Sequence, residues 1–216
     1  MDYQYLFELL CSGVVKGSIY ALIALGYTMV YGIIQLINFA HGEVFMIGAF
    51  TAFIVSGILT LGGHSGLSVL VLAAVVALIY AAAYGYTLEK IAYRPLRGAP
   101  RLSPLISAIG ASIFLMNYVQ LAQTPDFLPF PELIPEFAFM EPLIRYLSSA
   151  DLVILIVTTA TMIALTVLIK YTRIGKAMRA TQQDMVMARL VGVNVDRVIS
   201  ATFIIGSVLA AVAGVL

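Results

Sequence analysis

The chain has 216 residues, of which 62% are hydrophobic and 11% charged, with a formal net charge of +1. A soluble domain is about half apolar and about a quarter charged, so these proportions exclude an ordinary soluble globular protein and point to an integral membrane protein. The single cysteine, Cys11, leaves no internal disulfide and no cysteine pair for a zinc site; among its apolar neighbours it reads as a small packed hydrophobe.

The opening "MDYQYLFELL" carries Asp2 and Glu8 and no Lys or Arg before Lys16. That is not the basic start of a cleavable signal peptide, so the first apolar run is read as a retained span. From residue 14 to 61 only Lys16, His41 and Glu43 are ionisable. A span needs about 20 residues, so this run must divide, and the polar cluster Gln35, Asn38, His41 and Glu43 is where it does. The expected spans are 9–34 and 39–61, with Gly13 and Gly17 as points where the first could break. Asn38 is expected to N-cap the second helix, and Glu43 to sit in its first turns, where a negative charge suits the dipole.

Residues 67–88 form the next expected span, followed by the basic loop "EKIAYRPLRGAPR". A span over 102–121 leads into a Pro- and Glu-containing loop, 123–150. A span over 152–169 leads into a second basic loop, and a last apolar run begins at Val198. No low-complexity tract and no repeat of 20–50 residues stands out.

Lys and Arg concentrate on the cytoplasmic side of membrane proteins. One basic loop holds Lys90, Arg94, Arg97 and Arg101; the other holds Lys170, Arg173, Lys176, Arg179, Arg189 and Arg197. The loop between them has Arg145 against Asp126, Glu132, Glu136, Glu141 and Asp151. The basic loops are therefore read as cytoplasmic, the acidic loop and the "GGHSG" turn as outside, and parity places the N-terminus outside.

"NFAHGE" then lies near the cytoplasmic face. It is read as a helix junction at the bilayer edge rather than a buried triad, because ionisable groups inside a bilayer are costly. The functional alternative is a gate or pathway element. His41 and Glu43, two residues apart, diverge by about 200° on a helix, and no H-E-x-x-H spacing is present, so neither a metal site nor any other cofactor is expected.

Small residues recur at helical spacing: Gly13 with Gly17 and Ala21, Gly48 with Ala52, Ala81 with Gly85. The expectation is close helix packing. Ser107, Asn117 and Gln120 on the fourth span are candidates for polar contacts to a solute.

In "RIGKAMRATQQDMVMARLVGVNV", residues Ile174, Ala177, Met178, Thr181, Met185 and Ala188 follow spacings of three and four. They make one apolar face of an amphipathic helix over 175–190. Gly192 and Asn194 are its expected stop. The face is mild, built of Ala and Met without Trp or Phe. It suits a partner's groove better than the alternative, a helix resting on the membrane surface.

Three blocks carry a family resemblance: "GSIYALIALGYTMVYGIIQLINFAHGE" (17–43), "YRPLRGAPRLSPLISAIGASIFLMN" (93–117) and "TRIGKAMRATQQDMVMARLVGVNVDRV" (172–198). The chain resembles a permease subunit of the branched-chain amino-acid family of ABC importers. The resemblance implies an all-α polytopic bundle of about six spans in the bacterial inner membrane. It makes 1–216 a single transmembrane permease domain, incomplete at its C-terminus because the family continues for further spans. Within it, 171–197 would be a cytoplasmic coupling loop, with Arg173, Gly175, Arg179, Ala180, Ala188 and Gly192 at the contact with an ATPase. The partners implied are a second homologous permease, two ATPase subunits, a periplasmic substrate-binding protein and the lipid bilayer, with no nucleic acid and no cofactor. Asn38, His41 and Glu43 would lie near the inner exit of the path. Urea and short-amide permeases look similar and stand as the alternative substrates.

No G-x-x-x-x-G-K-[ST] occurs in these residues, so the phosphate-cradling loop must come from another chain. An intramembrane enzyme built on His41 and Glu43 lacks a neighbouring nucleophile or further ligand. An ion-coupled transporter would be expected to carry ionisable groups at mid-membrane, where Lys16 is the firm candidate.

Overall fold

A computed structural model describes residues 3–100, 102–124, 126, 128–131 and 148–216. Arg101 and the charged residues of 132–147, on which part of the orientation argument rests, lie outside them. The described residues form α1 (Tyr3–Ile34), α2 (His41–Leu61), α3 (Leu67–Leu88), α4 (Leu102–Ala122), α5 (Ser149–Tyr171), α6 (Arg173–Gln183), α7 (Met185–Leu190) and α8 (Val195–Val215), with no strand among them. Six of these helices, all but α6 and α7, are long and apolar enough to cross a membrane. This agrees with the expected all-α bundle of about six spans, with boundaries shifted by a few residues. The first run passes Gly13 and Gly17 without a break.

α8 is the central helix. It packs against α1, α2 and α3, while α2 also packs against α3, and α5 lies against α1. More than half of α8 is buried, against less than a third of each other span. Lipid tails are as apolar as Leu, so spans associate through close packing rather than through exclusion from water. Glycines provide the close approaches. A Cβ at Gly48 would come within 2.8 Å of Ala211 Cα, and one at Gly26 within 3.1 Å of the Gly206 carbonyl. One at Gly85 would overlap the Ser207 hydroxyl.

The expected packing role holds for Gly48, Ala52, Ala81 and Gly85, all buried against neighbouring helices. It does not hold for Gly13 and Gly17 within this chain. Both lie on an open face of α1, where a Cβ would meet nothing within 4 Å among the described residues.

The basic stretch after α3, expected as a loop, is instead ordered backbone. A π-helical turn, Glu89–Tyr93, continues α3, closed by the Arg94 N–H donating to the Glu89 carbonyl, and a 3-10 turn, Arg94–Leu96, follows. Glu89 and Tyr93 are both buried. The ends of α1 and α5, these turns, α6, α7 and the start of α8 gather at one end of the bundle.

Candidate functional site

The α1–α2 junction sits deeper than a surface turn. Gln35 ends α1 in the left-handed region (φ 56), its N–H donating to the Tyr31 carbonyl at 2.8 Å; a non-glycine residue adopts this conformation only where surrounding structure fixes it. The chain then climbs back along the bundle. The His41 ring lies against Gly26, about two helical turns before α1 ends, and meets Tyr27 edge to face. His41 is 2% exposed and Asn38 is 3% exposed. The expectation of a junction holds, but these side chains are not at its surface: Asn38 and His41 are buried inside the bundle. Close glycine packing of α1 on α8 opens the space the ring occupies.

Asn38 is not the N-cap of α2. That position is Ala40, which has no side-chain cap bond. The Asn38 carboxamide instead accepts a hydrogen bond from the Tyr93 hydroxyl at 2.8 Å. A buried amide oxygen gains more from a buried phenol than from a helix start whose first N–H already has the Asn38 carbonyl, at 3.1 Å. His41 and Glu43 point to different neighbours, as their spacing requires. Glu43, in the first turn of α2, accepts from Ser112 on α4 at 2.9 Å. His41 Nε2 is buried without a hydrogen-bond partner among the described residues.

The α4 candidates separate. Ser107 donates to the Ala92 carbonyl at 2.9 Å and so ties α4 to the π turn. Asn117 is exposed and donates to Ile113 of its own helix. Gln120 lines a cavity of about 410 Å³ at the end of the bundle away from the basic segments. Phe50 and Phe53 of α2, Val119, Leu128 and Phe130 supply its apolar wall, and Thr124 and Asp126 its polar edge.

The 171–197 segment is two helices rather than one. Asp184 breaks the run and N-caps α7, accepting from the N–H groups of Val186 (2.7 Å) and Met187 (3.0 Å). Such a cap satisfies donors the helix cannot. α7 ends in a Schellman motif. Gly192 takes φ +88, its N–H bonds Arg189 O, and the Val193 N–H bonds Ala188 O. Asn194 then caps α8 through the Arg197 N–H. The expected stop at Gly192 and Asn194 is thus observed.

Most of the apolar face expected to fit a partner's groove is turned inward, while Ile174 at its start is exposed. Met178, Thr181 and Ala188 are buried, with Met178 and Ala188 in the cluster formed by Met29, Ile33, Leu165, Val198 and Phe203. Gly175 is buried too, and a Cβ there would overlap the carbonyls of Leu168 and Ile169. Thr172 caps α6 through the Gly175 N–H at 3.0 Å. The Arg179 guanidinium donates to the carbonyls of Ile169 and Lys170, which suits the negative end of α5. Ala180 is half-buried, and Arg173 and Gly192 are exposed. Besides Ile174, the segment presents outward Val186, Met187, Leu190 (75% exposed) and Val191 (76% exposed).

Sequence reasoning missed an ion-pair cluster beside this segment. Arg97 donates to Glu89 and to Asp196 in the first turn of α8, Ser200 donates to Glu89 at 2.7 Å, and Arg94 lies 3.6 Å from Asp196. The available signal was Glu89, the lone acid at the head of a basic stretch and still within helical reach of α3.

A sequence family described as "Branched-chain amino acid transport system / permease component" matches residues 9–216. The high-affinity branched-chain amino acid transport system permease protein LivH of Escherichia coli strain K12 is 47% identical over 219 residues, covering all of this chain and 71% of that protein. LivH of Salmonella typhimurium is 48% identical over the same coverage. The corresponding permease protein BraD of Pseudomonas aeruginosa is 49% identical over 218 residues, covering 99% of this chain and 71% of that protein. No solved structure gives a significant match. With a bundle of membrane-length helices and a match across nearly its whole length, the chain belongs to the permease family of branched-chain amino acid transport systems.

Proposed function

We propose that the chain is the membrane-spanning permease subunit of an ABC importer that carries branched-chain amino acids across the bacterial inner membrane. Residues 1–216 act as one transmembrane unit, and 171–197 is its coupling segment. The observation that carries this reading is the exposed apolar turn Val186, Met187, Leu190 and Val191 at the basic end of the bundle. Exposed apolar groups clustered on one turn mark an interaction site, and a separate ATPase is the partner the transport chemistry requires. Gly175, Arg179, Ala180, Ala188 and Gly192 shape this surface by fixing α6 and α7 against the bundle, while Arg173 and the exposed turn make the contact. The other partners are a second homologous permease, a second ATPase and a periplasmic substrate-binding protein.

The outer path runs past Gln120. Its cavity is walled by aromatic and aliphatic side chains with a few polar groups, which suits an aliphatic amino acid better than urea or a short amide. Asn38, His41 and Glu43 lie further along the path toward the inner exit.

The test is uptake of labelled leucine in cells expressing the full-length permease with its partner permease, ATPases and binding protein. Uptake that needs the ATPases and is competed by isoleucine and valine, not by urea, is expected. ATPase-independent uptake, or preference for urea, overturns the reading.

A further inference from the structure

Polar contacts at the basic end run inward from the half-exposed Asp196 to the buried Tyr93 and Asn38, joined through the π turn. The series starts at Asp196, two residues after Asn194, the cap of α8, and near the end of the 171–197 segment. Arg97 joins Asp196 to Glu89, the first residue of the π turn. The last residue of that turn, Tyr93, donates to Asn38 in the α1–α2 junction at 2.8 Å. Two side bonds fix the turn from either flank: Ser200 of α8 to Glu89, and Ser107 of α4 to the Ala92 carbonyl. Tyr93 also packs against Phe203 of α8, with ring centroids 5.0 Å apart.

A surface ion pair would mean little here, but this one is not on the surface. Glu89 is fully buried and Arg97 largely so. A buried carboxylate without its guanidinium is strongly unfavourable, so Arg97 and Glu89 must move together. The π turn gives them something to hold. A π turn carries one more residue than an α turn, and its return to α register would swing one flank against the other by about 100°. Both of its ends have side chains with long-range polar partners, Glu89 toward α8 and Tyr93 toward the α1–α2 junction. A transmitting element needs two discrete arrangements that contacts at both ends can bias, and the π and α registers of this turn would supply them.

We infer that Arg97, Glu89 and Tyr93 are positioning residues that link the exit of the 171–197 segment, through the π turn, to the α1–α2 junction at Asn38, so that movement of that segment resets the junction. The inference rests on the importer reading above. Displacement of Asp196 pulls on Arg97, which releases or tightens Glu89. The turn then changes register, and the Tyr93 hydroxyl leaves or engages Asn38.

The test uses the full-length permease with its partner permease, ATPases and binding protein in proteoliposomes, and reads leucine taken up per ATP hydrolysed. Tyr93→Phe removes only a hydroxyl and keeps the ring against Phe203. Glu89→Gln and Arg97→Ala break the ion pair, and Arg97→Lys keeps the charge. With ATPase subunits co-purifying at wild-type amounts, uptake per ATP is expected to fall roughly fivefold or more in Tyr93→Phe, Glu89→Gln and Arg97→Ala. Arg97→Lys is expected to retain part of it.

A purely structural role would lower uptake and hydrolysis together and leave their ratio unchanged, which overturns the inference. Where Arg97→Ala does not assemble, Tyr93→Phe decides alone, and an unchanged ratio in that variant has the same consequence. Wild-type uptake without ATPases overturns the importer reading itself, a result separable from the first because it needs no variant.

Discussion

Gly85 of α3 and Ser207 of α8 meet so closely that a single added methyl group on Gly85 would overlap the Ser207 hydroxyl, with the Phe203 carbonyl 2.9 Å from the same point. The crossing sets how far α3, and the π turn that continues it, stand from the central helix. Gly85→Leu is expected to destabilise the bundle by about 3 kcal/mol or more, because backbone as well as side chain must shift. Gly13→Leu, on the open face of α1, serves as the contrast and should change stability by less than about 0.5 kcal/mol. Thermal unfolding of the purified protein in detergent measures both. Equal losses would mean that the Gly13 face is packed too, and that the crossing at Gly85 is not special.

The 171–197 segment separates into residues that shape it and residues that it shows. Leu190→Glu places a charge in the exposed turn and should abolish co-purification of ATPase while leaving thermal stability unchanged. Gly175→Val acts from within: its side chain collides with carbonyls at the end of α5, so it should lower stability by about 2 kcal/mol or more and weaken ATPase binding as a consequence. If Leu190→Glu retains the ATPase, the exposed apolar turn is not the docking surface.

Much of this was legible in the sequence. Spans, the split near Asn38, the stop at Gly192 and Asn194 and the small-residue contacts at Gly48 and Gly85 follow from hydropathy and local backbone rules, which the sequence states directly. What was not legible depends on which neighbour a residue meets. Spacing placed Met178, Thr181 and Ala188 on one apolar face, but an apolar face is equally satisfied by its own bundle or by a partner, and here Leu165, Phe203 and Met29 of the same chain cover it. Asn38 had the right type and place for a cap, yet Tyr93, distant in sequence, took its oxygen. By sequence Glu89 belongs with the loop, because a charge after an apolar run usually marks the membrane surface. Arg97 and Ser200 reverse that by satisfying the carboxylate inside.

His41 gives a clean separation of stability from transport. Its Nε2 is buried with no hydrogen-bond partner among the described residues, and such a group costs about 1–3 kcal/mol to keep dry. His41→Leu, similar in size, removes this unpartnered nitrogen at the cost of the ring's bond to the Ile23 backbone, and is therefore expected to change thermal stability by no more than about 1 kcal/mol. Uptake of leucine should nevertheless fall if the ring serves the path. Unchanged uptake in a fully stable variant would reduce His41 to a packing residue beside Gly26.

On the path proposed above, the cavity beside Gln120 would make a demand on both ends of the solute. An aliphatic amino acid brings an apolar side chain for Phe50, Phe53 and Val119, a carboxylate for the Gln120 amide and an ammonium for Asp126. Thr124 already donates to Asp126 at 3.0 Å and receives the Asp126 N–H at 3.1 Å, which fixes the carboxylate at the cavity edge. Removing the charge while keeping the shape, as in Asp126→Asn, should raise the KM for leucine uptake by roughly fivefold, since a charge-assisted hydrogen bond contributes more than a neutral one. Enlarging the wall with Phe53→Ala should weaken leucine more than alanine, because the lost contact is with the branched side chain. Ser107→Ala, whose hydroxyl bonds the Ala92 carbonyl away from this cavity, should leave KM unchanged. Uptake kinetics for leucine and alanine in the three variants test the arrangement. A KM insensitive to both Asp126→Asn and Phe53→Ala would place the solute path on another face of α4.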